Sequence, residues 1–336
     1  MEMHIPENYL NGATCGVMAA AMVPVWIHAV RTVKKEVPKA KIPLLGVGAA
    51  FSFVAMMFNV PLPGGTTGHA VGGTLIAILL GPDAACLAVS IALLIQALLF
   101  GDGGVLAYGA NCFNMAFILP FVGYAVYSFL NKKFKGKSGR YWAAGIGSYV
   151  GINAAAFCAA VEFGIQPYIS HDASGNPLNC PYGLNISIPA MMAGHLTVFG
   201  AAEVIYTVAL LAFIAKTSAD LLPENSMSGT TVKRPGKLYA LLAVLICLVP
   251  LGLIATGTAW GEWGSDEIAT VTGFSPANLI NGWELNALLP DYSFGGLPDA
   301  VGYILSAVIG VALCIIIFTL IARSMKDKTN FGSKPA

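Results

Sequence analysis

Two histidines stand where apolar helices should meet water, and glycines lie near both. His4 falls in the extreme amino terminus, MEMHIPENYLNG, and His69 in the stretch from Pro61 to Gly73, PLPGGTTGHAVGG. Glycine lets one backbone approach another closely, and ionisable groups at the edge of a membrane carry function more often than elsewhere. We read the pair as a site for metal capture. A chain starting at Met3 would begin Met-His and hold three nitrogens in one dipeptide: the terminal amine, the His4 amide and the His4 imidazole. These can close a five-membered and a six-membered chelate ring on one ion, and a nitrogen from His69 would complete a plane. That geometry suits Ni(II) or Cu(II) with nitrogen donors, while Co(II) adapts to several. The expectation requires a start at Met3, because Met1 and Glu2 would move the amine away from His4. The competing reading makes His4 an exposed terminal residue and His69 a helix cap or a group that meets water.

Asp102 and Asn111, in GDGGVLAYGANCFNM, could orient these ligands from outside the coordination sphere, or could serve as ordinary caps and turn residues. His195 and Glu203, in AGHLTVFGAAEVIY, are eight residues apart and so share one face of a helix, two turns apart. Glu203 falls well inside an apolar segment and must be neutral or paired, in an ion path or in a structural hydrogen bond. His28 and His171 read as ordinary surface residues. The seven cysteines form no CxxC pair, which argues against a thiolate zinc site or a disulfide framework. No GxxxxGK[ST], HExxH or GxSxG occurs, so an ATP-driven step would need another protein's phosphate loop, and an enzyme is disfavoured.

The elements that must hold these residues are membrane helices. The chain is 336 residues long, 56% hydrophobic and only 10% charged, against roughly 25% charged in a soluble domain. We expect an all-α polytopic protein with nine spanning segments, approximately 12–31, 42–58, 69–81, 84–99, 108–130, 141–163, 188–214, 238–257 and 299–321. The third and fourth are short and should lie inside the bundle. The first follows an acidic leader and is expected to be a retained helix. All 18 lysines and arginines fall at 31–41, 132–140, 216–237 or 323–334, on one side of a nine-segment chain. Basic residues stay on the cytoplasmic side, which puts the amino terminus outside and the carboxyl terminus inside. The opposite connections hold Glu2, Glu7, Asp102, Asp172, Glu262, Asp266, Glu267, Glu284 and Asp291, an outer face that would draw cations in. A polar stretch, KTSADLLPENSMSGTTVKRPGK, divides the chain into residues 1–215, a linker at 216–237, a two-helix module at 238–322 and a tail at 323–336. The pairs Gly12 with Gly16, Gly68 with Gly72 and Gly147 with Gly151 suggest close helix packing.

Four motifs carry a resemblance. MHIPENYLNGATC, PGGTTGHAVGGTLIAILLGP, ALLFGDGGVLAYGANCFNMAF and GHLTVFGAAE, over residues 3 to about 214, resemble the CbiM/NikM substrate-binding membrane components of energy-coupling-factor cobalt and nickel transporters. TAWGEWGSDEI and LLPDYSF, in about 238–322, look like the CbiN/NikN or PDGLE-type companion often fused to them. The resemblance implies a multi-pass protein of a prokaryotic inner membrane, with no cofactor, that imports Co(II), for cobalamin synthesis, or Ni(II). It implies ligands at Met3, His4 and His69. It also implies partners, namely a CbiQ/NikQ-like transmembrane coupling subunit and CbiO/NikO-like ATP-binding subunits. A proton- or sodium-coupled carrier working through Glu203, or a metal-binding scaffold of cobalamin synthesis, are the alternatives.

Overall fold

The computed structural model describes residues 4–62, 66–222, 236–255 and 257–325. Helix α1, Gly12–Glu36, begins where Asn11 accepts a hydrogen bond from the Thr14 amide, and its last turn carries Lys34 and Lys35 against the negative end of the helix dipole. Helix α2, Ile42–Met56, has proline at its start, where the missing N–H costs nothing. Next come α3 (Gly73–Leu80), α4 (Pro82–Phe100), α5 (Tyr108–Lys133), α6 (Gly136–Gly164), α7 (Leu184–Thr217), α8 (Gly236–Ile254) and α9 (Asp299–Ser324). Among the described residues, all of these except α3 are long and apolar enough to cross a membrane, which makes eight. The protein is a polytopic membrane protein.

Two expectations need correction. The fold is not wholly helical: β1, Val60–Leu62, pairs antiparallel with β2, Thr66–Gly68, with Val60 opposite Gly68. Proline and paired glycines in PLPGG deny this stretch a helix. The third helix starts at Gly73 and not at 69, because residues 69–72 form no regular element and Gly72 is left-handed at φ 73°. Its eight residues cover about 12 Å, well short of the ~30 Å hydrocarbon core. As expected, it lies inside the bundle, with Gly73 to Ile78 buried.

Glycines set the closest helix contacts. A Cβ on Gly147 would lie 2.6 Å from the Gly123 carbonyl, and one on Gly151 2.6 Å from that of Leu119, so α5 and α6 touch along their backbones. Gly12 and Gly16, by contrast, have nothing within 4 Å of such a Cβ and mark no contact, while Gly68 and Gly72 belong to the hairpin and the turn after it. Helix α9 packs along α2, with Gly46 against the Cys314 carbonyl and Gly310 under the Phe53 ring. The second module is therefore bound to the first through the bundle. The segment between its two long helices, carrying short helices Ser265–Thr272 and Ala277–Asn281, lies over the leader and the hairpin. Trp260 N donates to Thr66 Oγ1 at 2.9 Å, Tyr9 Oη to the Trp263 carbonyl at 2.5 Å, and Asn8 Nδ2 to that of Trp283 at 3.1 Å.

Candidate metal centre

The leader is folded into the bundle. His4, Ile5, Tyr9 and Leu10 are all buried. Asn111 grips the Ile5 backbone from both sides, accepting from its amide at 2.7 Å and donating to its carbonyl at 3.1 Å. Gly104 N donates to the same carbonyl at 2.8 Å, and the Glu7 carboxylate accepts from the amides of Val105 and Leu106. A side chain at Gly104 would strike the backbone of Pro6 and Glu7, so the 101–107 loop and the leader can lie this close only through glycine. Asn11 and Thr14 are tied to Gln166 on the segment after α6, which fixes the leader's far end.

His69 is positioned just as firmly by the loop around it. Ser52 Oγ donates to the Val71 carbonyl at 2.8 Å. Glu203 Oε2 accepts from the amides of Val71 at 2.8 Å and Gly72 at 3.0 Å. The ring of Tyr206, whose hydroxyl donates to the Phe51 carbonyl, closes over Gly72. Glu203 thus has the structural role that its sequence position allowed.

These two anchored segments bring the imidazoles together, with ring centroids 5.0 Å apart and planes inclined by 45°. His69 Nδ1 faces the Ala70 carbonyl at 3.1 Å, which selects the tautomer with its lone pair on Nε2. That Nε2 is buried with no hydrogen-bond partner among the described residues. The histidine lies in the loop before α3 and is enclosed on every side, with the His4 ring beside it. His4 Nδ1 lies 2.5 Å from Asp102 Oδ1. Burial alone would raise the Asp102 pKa, but His4 and the hydrogen bonds it receives outweigh burial and lower it. Two buried imidazoles beside a largely enclosed carboxylate suit a late first-row dication.

Of the residues singled out from sequence, His4, His69 and Asp102 meet, and Asn111 acts one step away by holding the leader. Met3 lies outside the described residues. His195 is bonded within its own helix, Nδ1 to the Met191 carbonyl at 2.9 Å, and stacks edge-on with Phe199. His28 faces Asp83 at 3.6 Å, and His171 is exposed. Sequence reasoning passed over Gln96 and Tyr292, whose Nε2 and Oη both donate to Asp102 Oδ2. Gln96 had a signal, a lone amide in ALLIQALLF. Tyr292 had none, since its partner is 190 residues away. Widened π turns at Gln96–Phe100 and Cys112–Ile118 flank the Asp102 loop, as such turns often do at functional sites. Above the leader opens a cavity of about 320 Å³ lined by Glu7, Glu262 and Glu284 among others.

Known proteins share this architecture. Residues 4–221 match the CbiM family, described as a cobalt uptake substrate-specific transmembrane region, and residues 236–327 match the PDGLE domain. A probable fused nickel transport protein, LarMN, of Lactiplantibacillus plantarum is 48% identical over 98% of this chain and 99% of its own length. A fused nickel transport protein, NikMN, of Rhodobacter capsulatus is 46% identical over 93% of this chain and 95% of its own. A crystal structure of a transition metal transporter, 51% identical, superposes with a TM-score of 0.61 over 67% of this chain and 98% of that one.

Proposed function

We propose that this chain, which belongs to the CbiM family and carries a PDGLE domain after it, captures Ni(II) or Co(II) outside a prokaryotic inner membrane and passes it inward. The observation that carries the reading is the buried pair His4 and His69, each ring oriented by a partner that fixes one of its nitrogens. No group of three or more His, Cys, Asp or Glu side chains among the described residues could hold a metal by itself. The remaining donors are then the His4 amide and the Met3 amine of a chain that starts there. Their six-membered ring closes through His4 Nδ1, so the entering ion replaces Asp102 at that nitrogen and keeps the carboxylate's charge beside it. Nickel is favoured over cobalt because the two relatives that match nearly end to end are named nickel transport proteins.

The chain crosses the membrane nine times in this account, the irregular segment 69–72 and α3 together making the third crossing, with the amino terminus outside. The distribution of all 18 basic residues supports that orientation. Residues 1–215 form the capturing module and 238–322 the companion. With no phosphate-binding loop of its own, the chain works with a CbiQ/NikQ-like coupling subunit and CbiO/NikO-like ATP-binding subunits, whose cycle tilts or opens the loaded component toward the cytoplasm.

Proteoliposomes holding the chain with those partners test the reading. Radioactive nickel should accumulate only with ATP and both partners, and should be indifferent to a protonophore. Uptake that proceeds without the ATP-binding subunits and collapses with the ion gradient would instead make the chain a secondary carrier.

A further inference from the structure

The second module reaches the metal centre itself. Tyr292, in the outer segment before α9, lies buried among Phe53, Phe100 and Tyr303, stacked on Phe100 with centroids 4.6 Å apart. Its hydroxyl donates to Asp102 Oδ2 and accepts from Gln96 Nε2 at 3.0 Å, while the other carboxylate oxygen faces His4. One side chain, Asp102, stands between this hydroxyl and the proposed ligand His4.

The backbone beneath Tyr292 points the same way. Asp291 and Tyr292 are consecutive left-handed residues, at φ 52° and 57°, in the tight turn Pro290–Ser293. Residues with a Cβ avoid that region, and such a turn ordinarily takes asparagine or glycine. The conformation persists because its surroundings fix it. Leu289 N donates to the Leu99 carbonyl at 2.8 Å, and Ser306 Oγ to that of Tyr292 at 2.8 Å. Strain held in this manner clusters at functional sites, and here its consequence is to bring a phenol hydroxyl to the part-buried carboxylate of Asp102.

We infer that Tyr292 is a positioning residue for metal capture, through which the second module sets the placement of Asp102 and hence of His4. The inference rests on the metal reading of His4 and His69. When the ion takes His4 Nδ1, the part-buried carboxylate keeps two hydrogen-bond donors, Gln96 and Tyr292. Without the phenol, one oxygen of that carboxylate loses a donor, and Asp102 can turn away from the site.

Tyr292→Phe keeps the ring and its packing and removes only the hydroxyl. Tyr303→Phe is the control: it removes a neighbouring hydroxyl of the same module that donates to the Met57 carbonyl at 3.0 Å, not to Asp102. In the full chain, with Ni(II) for affinity and Cu(II) as a paramagnetic probe, Tyr292→Phe should weaken nickel binding about tenfold, the scale of an outer-sphere loss. It should also shift the copper hyperfine pattern. Tyr303→Phe should do neither. Unaltered affinity and spectrum in Tyr292→Phe, or equal changes in both variants, would overturn the inference. His69→Ala in the same series separates the two levels: if it binds nickel like the parent, the metal reading itself has failed.

Discussion

His69→Ala should abolish high-affinity nickel binding and reduce uptake to background. The imidazole it removes is the one whose Nε2 is buried without a hydrogen-bond partner among the described residues. The loss should exceed the 10–100-fold typical when only an outer partner of a ligand is removed. The bundle should survive, because the loop is held through the backbone of Val71 and Gly72 by Ser52 and Glu203, not through the imidazole. Isothermal titration with Ni(II), beside His171→Ala on an exposed loop, checks this. The control should bind like the parent, and equal affinity in the two variants would remove His69 from the site.

Glu203→Ala should be the most damaging change away from the metal. It strands two buried amides, those of Val71 and Gly72, at about 1–3 kcal/mol each. Those amides shape the turn into α3, so His69 loses its placement along with the stability. Glu203→Gln keeps one carbonyl acceptor and should lose less on both counts. A proton-coupled carrier predicts a different pattern for Glu203→Gln: intact binding and thermal stability with uptake gone. Melting in detergent, read beside nickel affinity, separates the two, and stability unchanged in Glu203→Ala would contradict the structural role.

The helices were legible because apolar runs of membrane length admit few other folds, and the basic residues mark one set of connections. The His69 loop was legible as a site but not as a shape. PLPGG excludes helix, yet nothing local says that Glu203, more than 130 residues on, holds the turn open. The same holds for His4 and Asp102, each recognisable by type. Their contact depends on Asn111 gripping Ile5 and on Gly104 letting the leader pass, both long-range facts of packing. Small-residue spacing read correctly at Gly147 and Gly151 and failed at Gly12 and Gly16, because a stripe of glycines permits close approach without supplying a neighbour. The link from Tyr292 to Asp102 lay furthest from view, since it joins two modules through one hydroxyl.

Nickel-edge X-ray absorption on the purified full chain, with its amino terminus sequenced from the same sample, tests the central claim most directly. The account predicts one nickel per chain in an all-nitrogen, near-planar sphere, with outer-shell scattering from two imidazoles that falls to one in His69→Ala. A sphere of oxygen or sulfur donors, or imidazole scattering unchanged by His69→Ala, would contradict it.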